Sequence, residues 1–142
     1  MTIPVKGPIQ FVPPGGVFMT VDSITDPGGA PADVLDVDLG FSVAGRVVLP
    51  NWLAGTGTVT VYADEQGGPI DQALKPSATI TLAPSNTEPN PKTYKWHIDF
   101  AGSVLPDPSS GSQIYRLLAK FMYEGQATDI AGFVVIGDYL VN

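Results

Sequence analysis

The chain has 142 residues, 44% of them hydrophobic and 15% charged, with a formal net charge of −7 and no cysteine. Without cysteine there is neither a disulfide framework nor a thiolate metal site, and the acidity repels phosphate backbones and anionic lipid, so neither nucleic acid nor a membrane surface is an expected partner. A single domain of this size can bury roughly two-thirds of its unfolded surface, and no apolar run is long enough to span a membrane.

Sixteen glycines and fourteen prolines punctuate a chain rich in Val, Thr and aromatics, a pattern of short strands joined by tight loops. Residues 1–16 carry Pro4, Pro8, Pro13 and Pro14. Four missing amide donors bar this stretch from the middle of a sheet. It reads as an extended arm, with residues 17–142 forming one β-sandwich domain. Ile3, Val5, Ile9 and Phe11 all fall on odd positions of the arm, a contact surface for self-association or for an edge of its own domain. Met1 to Val12 shows no apolar helical core and no basic front, so no export signal is expected. Synthesis in the cytoplasm is the default, with a final place in an extracellular or virion-like particle left open.

Val17 to Val21 reads as a first strand and Asp26-Pro27-Gly28-Gly29 as a turn. From Val34 the alternation predicts one strand, with Leu35, Val37, Leu39, Phe41 and Val43 inward and Asp36, Asp38 and Ser42 outward. Arg46 to Leu49 continues it after a break at Gly45. Asn51 to Gly55 is a loop, and Thr58 to Asp64 is a strand with Val59, Val61 and Ala63 on one face. Gln72 to Lys75 reads as a single helical turn. Ala78 to Leu82 and Thr93 to Phe100 are strands, the second turning Tyr94, Trp96, Ile98 and Phe100 inward.

The central element is Gln113 to Glu124, which places Tyr115, Leu117, Ala119, Phe121 and Tyr123 on an apolar face and Arg116, Leu118, Lys120, Met122 and Glu124 on a mixed one. Ile130 to Leu140 closes the chain. Seven to eight strands at this spacing predict an all-β, two-layer antiparallel sandwich. Its expected core is Leu35, Val37, Leu39, Phe41, Trp96, Ile98, Tyr115, Leu117 and Phe121.

Asp107, Gly111 and Tyr115 lead into the central strand as in the corner of immunoglobulin-like sandwiches, which this part of the chain resembles. The resemblance implies that the Tyr115 hydroxyl bonds back to a backbone group between Pro106 and Ser110. The chain departs from that pattern in the longer Gly111–Tyr115 spacing, the absent disulfide and the position of Trp96. The runs Val59-Thr60-Val61-Tyr62-Ala63-Asp64, Tyr115-Arg116-Leu117 and Ile130-Ala131-Gly132-Phe133 resemble small bacterial sandwich proteins of phage-tail-like injection particles or extracellular assemblies. That resemblance implies a subunit of a larger particle.

The chemical inventory is thin. His97 shares a strand face with Lys95 and Asp99, and an exposed histidine among charged neighbours is preferred over a catalytic pair. No Gly-x-Ser-x-Gly elbow is present, and Ala54-Gly55-Thr56-Gly57 opens no helix to hold phosphate. Asp33, Asp36 and Asp38 are the metal candidates, with Asp22 and Asp26 nearby. They lack the spacing of a calcium loop, so a solvated acidic face is preferred, as it is for Asp64 and Glu65. No metal and no cofactor is expected. For glycan or protein binding the candidates are Trp52 and Tyr62, with Tyr139 a further exposed aromatic. A loop tryptophan more often plugs the open end of a sandwich than offers a platform, and the plug is preferred. These readings predict a non-catalytic structural subunit that forms a homo-oligomer or joins particle or filament neighbours. The alternative is a glycan- or protein-binding module built on the loop around Trp52.

Overall fold

A computed structural model describes residues 18–32, 34–125 and 131–142. The predicted arm, its contact residues Ile3, Val5, Ile9 and Phe11, and the metal candidate Asp33 lie outside the described residues. The described chain forms nine strands and no helix: β1 (Phe18–Thr25), β2 (Val34–Leu35), β3 (Phe41–Leu49), β4 (Gly55–Glu65), β5 (Asp71–Ala73), β6 (Ala78–Leu82), β7 (Lys92–Phe100), β8 (Gln113–Gly125) and β9 (Ala131–Val141). Among these residues, no helix is long and apolar enough to cross a membrane.

Two sheets pack face to face. The smaller has the order β1-β3-β7; the larger runs β2-β9-β8-β4-β5, with β6 beside the first half of β4. One of the two sheets is strongly curled into a half-barrel. Pairing is antiparallel except between β2 and β9, which run parallel at Val34↔Leu140 and Leu35↔Val141. β8 is central as its alternation requires: it lies between β4 and β9, and Tyr115, Leu117, Ala119 and Phe121 are fully buried.

Eight of the nine predicted core residues are buried; Leu39 is 55% exposed. The cause is a corrected strand. The stretch from Val34 to Val43 is split by a turn in which Asp36 Oδ1 accepts the Asp38 amide at 2.8 Å and Leu39 N–H bonds Asp36 O. An aspartate two residues ahead of a free amide favours this Asx turn over a continued ladder. β3 then runs unbroken through Gly45, and the irregularity lies opposite it in β1, between Val21 and Ser23. Gly45 is crowded by its neighbours within the smaller sheet: a Cβ there would sit 2.2 Å from Thr20 O on β1 and 2.5 Å from Trp96 Cζ2 on β7. The stretch read as a helical turn at Gln72 to Lys75 instead begins with the last two residues of β5, because Tyr62 to Asp64 offers that strand an edge.

The registers fix which loops share an end. Phe18 lies opposite Val48, Leu49 opposite Lys92, and Gly55 opposite both Leu82 and Gly125. The start of β1, loops 50–54 and 83–91, and the start of β9 therefore gather at one end. The Asp36–Gly40 turn, loop 101–112 and the C-terminus occupy the other.

Candidate functional site

At the first end, loop 50–54 sends two adjacent side chains opposite ways. Leu53 turns inward and is 2% exposed, whereas Trp52 turns outward and is 65% exposed. Leu53 is therefore the plug of the sandwich, and the expectation that Trp52 fills that place is overturned. The loop tightens through Leu53 N–H to Pro50 O, and the Tyr123 hydroxyl donates to Ala54 O.

Loop 83–91 is stitched against it. Ser85 N–H donates to Asn51 O at 2.9 Å, Asn51 Nδ2 to Glu88 O at 2.9 Å, and Asn51 N–H to Asn90 Oδ1 at 3.2 Å. Ser85 Oγ accepts the amides of Thr87 and Glu88, and Lys92 Nζ donates to Ala83 O at 2.8 Å. The Lys92 ammonium is held charged above its usual range, chiefly by its bond to Glu88. Between the two loops lies an open groove of about 410 Å³ lined by Trp52, Pro84, Ser85 and Asn86. The lining combines one aromatic face, a proline and neutral hydrogen-bonding groups, with no charge.

The outer faces of the two sheets differ in chemistry. On the smaller sheet Arg46 forks onto Asp22, with Nη2 2.9 Å from Oδ1. Beside that pair, Asp99 Oδ1 accepts the Ser42 hydroxyl at 2.5 Å and lies 2.6 Å from His97 Nε2. These bonds, the serine's first, hold the Asp99 carboxyl below its ordinary range. The carboxylate stands between the serine and the imidazole. This order differs from a Ser–His–Asp relay, in which the imidazole stands between the serine and the carboxylate.

The outer face of the larger sheet is mixed, with an apolar row at one end. Val34, Leu140 and Ile114 are direct partners on β2, β9 and β8, exposed by 48%, 38% and 40%. Beyond a row in which Arg116 pairs with Asp138 at 3.0 Å, half-buried Tyr62, Leu118 and Val135 and exposed Met122 and Phe133 share the face with exposed Lys120 and Glu124. Tyr62 thus sits within this face, away from Trp52. Tyr139, expected exposed, is fully buried, because a bulge opposite Leu117 shifts the alternation of β9 by one.

At the opposite end, Glu65 is the one buried charged side chain among the described residues, at 2% exposure. The expectation of a solvated acid at this strand end is corrected. Its carboxylate accepts Ser109 N–H at 2.7 Å and the Ser109 hydroxyl at 2.8 Å, which lowers its pKa with the amide bond as the largest cause. Gly68 makes room, since a Cβ there would fall 1.7 Å from Glu65 Oε1. Glu65 thereby ties down the loop whose Pro106 carbonyl accepts the Tyr115 hydroxyl at 2.8 Å, the bond expected from the sequence. Burial first, then the nearby Glu65 and Asp107 charges, push the Tyr115 pKa up to about 12.

A cleft of about 260 Å³ in this region includes Asp38 and Asp107 in its lining. Asp36 and Asp38, expected on one strand face, lie instead in the turn. Among the described residues no three acids, histidines or cysteines converge to hold a metal. No protein-family model, no curated protein and no solved structure matches the chain.

Proposed function

We propose that this domain is a non-catalytic assembly subunit that packs against other copies, or against neighbours in a particle or filament, through the outer face of its larger sheet. The observation that supports this reading is the row Val34, Leu140 and Ile114, three large apolar side chains side by side on neighbouring strands and turned to solvent. Contiguous apolar surface on a folded domain marks an interaction site more often than scattered single residues do. The polar outer face of the smaller sheet would then look outward from the assembly. An immunoglobulin-like relationship is part of the proposal and is supported by the bond from Tyr115 to Pro106. The likeness to particle-associated bacterial sandwich proteins implies the same kind of role. Light scattering over a dilution series tests the reading: it predicts a mass that rises with concentration, and a constant monomer mass would refute it.

A second reading, a binding module for neutral glycans, is favoured by the exposed indole of Trp52 beside a groove lined without charge. Aromatic faces stack on apolar faces of a ligand while polar neighbours fix its orientation. Titration with neutral oligosaccharides would shift Trp52 fluorescence under this reading. An unchanged spectrum across the series would exclude it.

A further inference from the structure

β7 is an edge strand: it pairs with β3, and among the described residues no strand lies along its other side. Which of its residues turn their backbone groups to that side follows from β1. Ile24 O accepts Ala32 N–H and Asp26 N–H donates to Ala30 O, so both face away from β3, and Thr25 faces Ser42 across the pair. Along an antiparallel ladder this orientation alternates. Ser42 therefore turns to β1, while Phe41 and Val43 turn to Phe100 and Ile98 on β7, in a register unbroken from Phe41 to Leu49. The residues of β7 that face the open side are then Thr93, Lys95, His97 and Asp99. Toward the start of the strand Ala83 crowds it, bonded to Lys92 Nζ and to the Tyr94 hydroxyl.

The charges on this edge are incomplete. Lys95 lies opposite Arg46, and like charges in that position repel. Arg46 is balanced by Asp22, whereas Lys95 has no acidic partner among the described residues. Asp99 is bonded through Oδ1 alone, to Ser42 and His97, which leaves Oδ2 for a further donor. Lys95, His97 and Asp99 are all exposed. Lys95 and Asp99 stand two residues to either side of His97. A copy of the strand laid antiparallel, with its His97 opposite this one, sets each Lys95 against the other's Asp99. Any other register of the same parity separates both pairs. Charged edges ordinarily discourage pairing with arbitrary strands, and here the same charges select a copy of this chain.

We propose that the β7 edges of two copies pair antiparallel about a two-fold axis at His97, joining two smaller sheets into one. Three residue pairs exchange about six backbone hydrogen bonds, and each Lys95 ammonium meets the open side of the Asp99 carboxylate in the second copy. A single strand edge is small beside the roughly 1,200 Å² of a stable interface. The contact therefore links copies that the outer face of the larger sheet has already gathered, and in that respect it rests on the assembly reading. With two separate contact surfaces on each chain, growth continues beyond a pair.

The chain has no cysteine, so the single variants Lys95→Cys, His97→Cys and Asp99→Cys test the register under mild oxidation, at a concentration where light scattering shows assembly. Across the axis, the two Cα atoms of position 97 lie about 5.5 Å apart, within disulfide reach. Positions 95 and 99 each lie roughly 13 Å from their counterparts in the second copy, beyond that reach. His97→Cys should give a disulfide-linked dimer, and the other two should give none. Equal cross-linking at the three positions, or a stronger cross-link at 95 or 99, would overturn the proposal. In the His97→Cys chain, Lys95→Asp should lower the cross-linked fraction severalfold, and adding Asp99→Lys should restore it. An undiminished cross-link, or no recovery in a chain that circular dichroism shows folded, would refute the charge pairing. A chain that is monomeric at every concentration overturns the assembly reading and this one together. Assembly without a cross-link at position 97 overturns this one alone.

Discussion

Tyr115 and Tyr139 face each other across β8 and β9, and both are fully buried, yet their hydroxyls differ. The Tyr115 hydroxyl donates to Pro106 O at 2.8 Å; that of Tyr139 is buried without a partner. Replacing either by phenylalanine keeps the ring and opens almost no cavity, so the hydroxyl alone is tested. Tyr115→Phe removes a bond of net worth about 0.5–1.5 kcal/mol, and the half-buried Pro106 carbonyl it leaves can regain water. The expected loss is about 1 kcal/mol, or roughly 2–4 °C in Tm for a chain of this size. Tyr139→Phe removes an unsatisfied polar group from the core, so the change should be neutral or stabilising by up to about 1 kcal/mol. Urea unfolding followed by circular dichroism reads both as midpoint shifts at constant slope. An unmoved midpoint for Tyr115→Phe, or equal losses for the two variants, would refute the reasoning.

Three further outcomes are expected. Gly45→Ala drives a methyl into Thr20 O and the Trp96 ring and should cost about 1–3 kcal/mol; a near-ultraviolet spectrum and midpoint equal to those of the parent would contradict this. The pKa of Glu65 is lowered in the fold, so its stabilisation is present above the ordinary glutamate value and is lost as pH falls through the folded pKa. Glu65→Gln should therefore destabilise at neutral pH and flatten the acid limb of stability against pH, and an unaltered acid limb would argue against the clamp. Tyr115 and Tyr139 are both raised to about 12, so stability should be full below the unfolded tyrosine value near 10 and fall as pH rises from there to about 12. Stability that stays flat across that window, measured by urea midpoints, would count against their burial.

The inward faces of β4, β7 and β8 were legible because strict alternation places a whole set of side chains in water if the register slips by one. The same rule misled at Val34 to Val43, where Asp36 captures the Asp38 amide and ends the strand despite the apolar alternation. It failed again at Tyr139, since a bulge inside β9 leaves no mark in composition. Trp52 and Leu53 are neighbours of similar hydrophobicity, and which of them plugs the end depends on the loop packed from residues 83–91. Glu65 looked like a surface acid because its partners at Ser109 and its space at Gly68 come from elsewhere in the chain. The apolar row of the candidate face was hidden for a related reason. Val34, Ile114 and Leu140 are scattered singly along the sequence and meet only through strand order.

Sedimentation equilibrium of the parent chain beside an Ile114→Lys, Leu140→Lys double variant tests the assembly face most directly. Both side chains are about 40% exposed, so lysines can reach water with little effect on the fold, which circular dichroism would verify. The account predicts concentration-dependent association of the parent and a folded, monomeric variant. A monomeric parent, or a variant that associates as strongly as the parent, would contradict it.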